Sequence, residues 1–333
     1  MNLRDELRAR FPALTKLGAG AYVVGGAIRD LLLGREPADV DIACIDPLAA
    51  AKKLSGRVIQ LGDGELTAYR VVLPKHVYDF AGLLGDDIGV DLARRDFTIN
   101  AMALELATGA LLDPHGGQRD LEARVVRMVH ASNFDDDPLR MLKGVRMAVR
   151  YDFDLDSETL EAIRARAPRI TEVARERIAY ELSVIFSANR FRRAVELLRA
   201  TGLDAALGLR TRDFHADDVT LTGAYALLFD DAPREAVTLR RLIDAHDPLA
   251  LYDAGETIAR QLPPVLRALG RDDALDWPDF ETRALLTGEE IGALAGLGPG
   301  KEMGALKRAL LEAQIRGDVK TREEAEAFVT ASA

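Results

Sequence analysis

Between residues 21 and 112 the apolar positions fall in short runs, AYVV, DVDIAC, YRVVL, HVYDF and MALEL, several alternating with polar residues at the two-residue period of a strand. Stretches with helical spacing, such as IRDLLLG and PLAAAKKL, separate them. This part of the chain is expected to be mixed α/β. After Asp135 the strand pattern stops. Residues 160–167, 178–187 and 192–198 instead fit helices that bury one face and leave arginines on the other. Caps and stops stand at Asp156-Ser157, Pro168 and Thr201-Gly202, and the last hundred residues continue in the same way, broken by Pro248 and the Gly-Leu-Gly-Pro-Gly run at 296–300. No internal repeat or low-complexity tract interrupts the pattern. The expected class is α+β: a mixed sheet with helices over 1–135, then helical segments over 136–200 and 201–333.

Composition narrows the setting. A chain of 333 residues, 48% apolar and 29% charged, has the mixture of a folded protein with more than one core. Its N-terminal segment interleaves charges with apolar residues and lacks the apolar stretch of a leader. No run approaches the roughly 20 apolar residues of a membrane span, so no membrane partner is expected and the cytoplasm is the expected location. The single cysteine, Cys44, excludes an internal disulfide and sits in an apolar run as a small buried side chain. A net charge of −10 argues against a nucleic-acid partner until its distribution is considered. Residues 140–199 carry thirteen basic groups, twelve of them arginine, against nine acidic ones, so this segment is +4 and the remainder −14.

The candidate chemistry lies in VVGGAIRDLLLGREPADVDIA, residues 23–43. A Gly-Gly turn follows an apolar strand and opens a helix carrying Arg29 and Asp30; a second strand then brings Asp39 and Asp41. Residues two apart on a strand point to the same side, so these two aspartates can offer hard oxygen ligands to Mg²⁺ ions that also hold a triphosphate. Gly25 and Gly26 let the backbone approach phosphate oxygens at a helix N-terminus. Singly, each element more often marks a surface carboxylate pair or a plain turn. In combination they point to phosphate chemistry.

This segment resembles the opening motif of the class II tRNA nucleotidyltransferases and bacterial poly(A) polymerases, members of the polymerase-beta nucleotidyltransferase superfamily. The resemblance continues through LARRDFTINAMA at 92–103, LLDPHGGQRDL at 111–121, DDPLRMLKGVRMAVR at 136–150 and ERIAYEL at 176–182. It covers residues 20–200 and implies a catalytic head over 1–135, a helical neck over 136–200 that reads the base and contacts RNA, and a helical body and tail over 201–333 that binds tRNA. The implied reaction is template-independent transfer of CMP, and of AMP in some members, from CTP or ATP to the 3′ end of tRNA, using two Mg²⁺ ions.

By the same resemblance Asp39 and Asp41 are the metal ligands, Arg95, Asp96 and Asn100 hold the ribose and phosphates, as an acceptor, an amide and a guanidinium can, and Gly25, Gly26, Arg29 and Asp30 are further nucleotide-binding candidates. Asp137 and Arg140, expected on one helix face at a spacing of three, would present acceptors and donors to the Watson–Crick edge of the incoming base, with Lys143 and Arg146 beside them. Asp79, in HVYDF, is the candidate third carboxylate, accepting the proton of the primer hydroxyl. Arg175, Arg177, Arg190, Arg192 and Arg193, together with Arg164, Arg166 and Arg169, are candidate phosphate contacts; the alternative for any of them is a solvated helix face.

Departures from the family pattern sharpen specificity. Asp136 stands where Glu is usual, Lys143 where Arg is usual, and Ala174 where a capping Ser is common. Lys143 is the most consequential, because a point charge does not reproduce bidentate guanidinium contacts. Between Phe80 and Asp91 the chain has only the ten residues AGLLGDDIGV, where complete CCA-adding members carry a longer flexible loop with basic and acidic residues. Members that add only two cytidines have that loop shortened, so a CC-adding enzyme is expected. The alternatives are a full CCA-adding enzyme, a poly(A) polymerase, a small-molecule nucleotidyltransferase and an RNA-binding protein without activity; the last would have lost Asp39 or Asp41, and both are present.

Overall fold

The computed structural model describes residues 2–62, 67–83, 85 and 87–333. Seven strands form one sheet: β1 (Ala21–Val24), β2 (Asp39–Cys44), β3 (Arg57–Leu61), β4 (Ala68–Val72), β5 (Val77–Gly82), β6 (Ala103–Glu105) and β7 (Leu111–Leu112), in the order β3-β4-β5-β2-β1-β6-β7. Only β2 and β5 run parallel; the other neighbours are antiparallel. The expected strands are present. Two further ones, β3 and β7, escaped the apolar pattern because they lie at the sheet edges, and β3 is largely exposed.

Alternation along β2 separates the two faces of the sheet. Val40 and Ile42 are buried while Asp39 and Asp41 face solvent. On the buried side Tyr78 and Phe80 of β5 and Val71 of β4 are fully enclosed, and Phe11 meets Tyr78 edge to face. Among the described residues five α-helices accompany the sheet: α1 (Leu3–Arg10), α2 (Gly26–Leu32), α3 (Pro47–Lys52), α4 (Ile88–Ala93) and α5 (Gly117–Glu122). On the carboxylate side, Val24, Ala43 and Ala103 pack with Leu92 of α4.

The helices α6 (Asn133–Asp136), α7 (Leu139–Tyr151), α8 (Ser157–Arg166), α9 (Arg175–Phe186), α10 (Phe191–Thr201) and α11 (Leu203–Ala206) follow. Asp156 caps α8 through its side chain, as expected. A short parallel pair, β8 (Val125–Val126) with β9 (Asp154–Leu155), places a strand after Asp135, where none was expected; two residues are too few to leave a period in the sequence. α7 buries Met141, Leu142, Val145 and Met147, each worth about 1.5–3 kcal/mol of transfer free energy. Gly144 lets Phe97 approach: a Cβ there would lie 2.9 Å from the ring.

Contacts divide the chain into two compact units, residues 1–185 with 197–207, and residues 186–196 with 208–333. The division therefore runs through α9 and α10. The second unit is built from α12 (Leu221–Leu228), α13 (Arg234–Asp244), α14 (Pro248–Ala254), α15 (Glu256–Ala259), α16 (Leu262–Ala268), α17 (Gly288–Ala295), α18 (Lys301–Arg316) and α19 (Arg322–Ser332). Its last three helices enclose Leu286, Ile291, Leu306, Leu310 and Val329. Capping boxes start α17 at Thr287/Glu290 and α19 at Thr321/Glu324. Among the described residues no helix is long and apolar enough to cross a membrane.

Candidate active site

Asp39 and Asp41 share the open side of β2, and strand register puts Asp79 of β5 beside Asp41. The three carboxylates thus occupy neighbouring positions on one sheet face. Asp41 is pushed up to about 6, first by loss of solvation among its neighbours and then by repulsion from Asp39, with Arg95 opposing the shift and Asp79 adding to it. Water reaches the residue, yet protein on most sides makes its charge costly.

Asp79 is not unaccompanied. Arg70 of β4, opposite it in register, forks onto both oxygens at 2.8 and 2.7 Å. Sequence reasoning missed Arg70; its only signal was the alternation in AYRVV that places it on the carboxylate face. Among the described residues no three acidic, histidine or cysteine side chains are drawn together as a ready-made metal site.

The Gly-Gly turn lies against this face. Gly25 has φ 70° and ψ −129°, a conformation open essentially to glycine. A Cβ on it would stand 2.9 Å from Arg95 Nη1 and 3.8 Å from Asp41 Oδ2. Arg95 therefore passes over the turn toward Asp41, anchored by Asp91, which accepts from its Nε and Nη2 at 3.1 and 3.0 Å. Asp96 accepts from the Phe97 amide and from Asn100 Nδ2, each through Oδ1. The structure thus brings Gly25, Arg95, Asp96, Asn100 and Asp41 into one neighbourhood.

Arg29 and Asp30 turn inward instead. Arg29 is 6% exposed; it donates to Asp30 and to Asn100 Oδ1, and its guanidinium lies 4.6 Å from the Tyr151 ring centre. Tyr151 in turn donates to Asp30 at 2.7 Å. These residues tie α2 to α7 beneath the turn.

Asp137 and Arg140 do not share a helix face. Pro138 forces the residue before it out of the helical region, so Asp137 is extended at φ −143°, ψ 97° and α7 begins only at Leu139. The i,i+3 ion pair is absent as well. Asp137 accepts from Arg177 Nη2 at 3.0 Å, and Arg140 donates to the Asn133 carbonyl at 3.1 Å. Asn133 is buried, and its amide donates to the carbonyls of Ala93 and Arg95 at 2.9 and 2.7 Å. It is a second residue missed in the sequence, where it reads as an ordinary turn asparagine. Arg146 points to the buried Glu181 at 3.2 Å, and Lys143 lines an open pocket of about 390 Å³ with Leu139, Glu176, Arg177, Tyr180 and Glu181.

Several arginines expected to meet RNA have protein partners. Arg164 donates to the Ala200 carbonyl, and Arg166 and Arg169 converge on Asp135. Arg192 lies near Glu196 and Asp217, while Arg190 and Arg193 also have partners. Arg175 is exposed at the start of α9.

Residues 21–83 and 82–127 match the family described as the Poly A polymerase head domain, and residues 152–207 match one described as a probable RNA and SrmB-binding site of polymerase A. The CC-adding tRNA nucleotidyltransferase of Thermus thermophilus is 31% identical over 93% of this chain and 93% of its own. This chain belongs to the tRNA nucleotidyltransferase and poly(A) polymerase family. Another member, the A-adding tRNA nucleotidyltransferase of Deinococcus radiodurans, is also 31% identical, over 96% of this chain and 97% of its own. Among solved members, the CCA-adding enzyme of Bacillus stearothermophilus in complex with CTP superposes with a TM-score of 0.73 at 25% identity, covering all of this chain and 98% of that one. As a tRNA nucleotidyltransferase the chain is an enzyme, and the Gly25–Asp41–Arg95 neighbourhood lies within its head-domain match.

Proposed function

We propose that this tRNA nucleotidyltransferase adds the two cytidines of the CCA end and leaves the terminal adenosine to another enzyme. The observation that carries the specificity is the link from β5 to the RRDF turn. Residues 81–90 contain no lysine or arginine, and β5 ends at Gly82 while α4 begins at Ile88. Leu84 and Asp86 of that link lie outside the described residues. Overall similarity does not choose, since CC-adding and A-adding relatives are equally identical to this chain.

In the proposed reaction the primer 3′ oxygen attacks the α-phosphorus of CTP. A new P–O bond forms as the bond to the bridging oxygen breaks, pyrophosphate leaves, and the hydroxyl proton is released. Gly25 and Gly26 let the backbone approach the triphosphate, Arg95 meets its phosphates, and Asp96 and Asn100 meet the ribose. Asp137 and Arg140 read the base, with Asp137 accepting from the cytosine amine and Arg140 donating to ring acceptors. Asp79 takes the primer proton on a lone pair that Arg70, which bonds each oxygen once, leaves free.

Mg²⁺ fits this donor set: loss of solvation, and after it repulsion from Asp39 on the same strand face, raises Asp41 to about 6, and a bound cation relieves both. Asp39 and Asp41 would hold it, and it would supply positive charge to the phosphates during transfer. The head over 1–135 would perform the chemistry, residues 136–200 would select the base, and residues 201–333 would bind tRNA. These substrates belong to the cytoplasm.

The decisive experiment offers tRNAs ending before the CCA, after one C and after CC, with CTP and ATP singly and together, and sequences the products. CMP addition that stops at CC is expected. AMP incorporation onto the CC-ending tRNA at a rate comparable to CMP addition would overturn the CC reading.

A further inference from the structure

The segment ERIAYEL matches its family motif, yet none of its residues has a part in the chemistry above. Arg177 of this segment donates through Nη2 to Asp137 Oδ2 at 3.0 Å, 40 residues away in the chain, while Asp137 Oδ1 accepts from the Leu139 amide at 3.2 Å. The Asp137 carboxylate is thus held at both ends and its plane is fixed. Each oxygen has two lone pairs, so each keeps one acceptor site for a further donor. Arg140 is held separately, by the carbonyl of Asn133. The pocket shared by Arg177, Lys143 and Tyr180 opens beside this contact.

We infer that Arg177 is a positioning residue for base selection, fixing the Asp137 carboxylate so that one of its remaining acceptor sites meets an amine. The inference rests on the reading of Asp137 and Arg140 as the base-reading pair. Cytosine presents an exocyclic amine at this position, whereas uracil presents an oxygen, which repels a carboxylate. A carboxylate held in place cannot turn away from that oxygen; a released one can. Loss of Arg177 should therefore erode discrimination against UTP more than it slows cytidine transfer. The Arg177 side chain is 53% exposed, so its replacement opens no core cavity.

The test measures kcat/KM for CTP and for UTP, singly, on tRNA lacking its CCA end, with the full-length protein and its R177A, R177K, D137A and D137A/R177A variants. For R177A the CTP-to-UTP ratio is expected to fall by about tenfold or more, the scale of one hydrogen bond to a charged group, with KM for tRNA little changed. R177K should recover much of the ratio, because the observed contact uses a single nitrogen. The double variant should discriminate no worse than D137A. A ratio lowered by D137A but untouched by R177A overturns the inference alone. So does an R177A variant that raises KM for tRNA at an unchanged ratio, since Arg177 would then be an RNA contact. If D137A itself leaves the ratio unchanged, the base-reading assignment fails and the inference falls with it.

Discussion

Asp41 combines two properties: it is open to water on one side, and the surrounding protein, with Asp39 next, raises its pKa to about 6. Such a shift is a cost the fold bears for enclosing an acidic group beside another, and shifts of this kind cluster at functional sites. Asp41→Asn keeps the shape and removes the charge. Nucleotide transfer by this variant is expected to fall by about a thousandfold or more, the several kcal/mol that charge stabilisation of phosphates commonly supplies. Its tRNA affinity in a filter-binding assay should stay within about twofold of wild type, because one surface carboxylate contributes nothing to phosphate neutralisation. Transfer at the wild-type rate would remove Asp41 from the site.

At the scale of elements, the turn between β1 and α2 and the RRDF turn are built against each other, and the contact point is Gly25. Its φ of 70° with ψ −129° is strained for any L-residue, and the 2.9 Å approach of Arg95 leaves no room for a methyl group. Gly25→Ala should therefore cost about 1–3 kcal/mol of stability, read as a lowered Tm, and should also raise KM for CTP as Arg95 is pushed from its place. A fall in Tm with KM for CTP unchanged would mean that Arg95 does not meet the nucleotide.

This turn also shows what the sequence could disclose. Strand, Gly-Gly, helix and the DxD strand were legible because each depends on local rules: period two, glycine at positive φ, and a helix start. A spacing of three puts Asp137 on the face of Arg140, but Pro138 restricts the residue before it by an equally local rule and leaves Asp137 outside the helix. Arg70 and Asn133 were out of reach for another reason. Their roles arise from strand register and from carbonyls 38 to 40 residues away, which no periodicity encodes.

For the molecule as a whole, the arginine concentration in residues 140–199 suggested an RNA surface, yet Arg146, Arg164, Arg166, Arg169 and Arg177 are bonded to acidic side chains or carbonyls of the chain itself. Composition counts charges without showing which are already balanced. The second unit was legible only as helices broken by Pro248 and the run at 296–300, and the capping boxes that its structure adds have a measurable consequence. Glu290 caps α17 and pairs with Arg322 of α19, contacts that lower its carboxyl to about 2, with the Arg322 hydrogen bond the largest influence and the Thr287 backbone next. A carboxyl held below its usual value contributes stability that is present above about 4.5 and is lost as pH falls from there toward 2. Glu290→Gln retains the capping geometry, because glutamine also completes a capping box, but removes the titration. The difference in urea midpoint between wild type and this variant, followed in the unfolding of the unit that holds α17–α19, should be largest near pH 7 and shrink as pH falls below 4.5. A difference that stays constant from pH 7 to pH 3 would show that the Glu290–Arg322 pair does not join these two helices in solution.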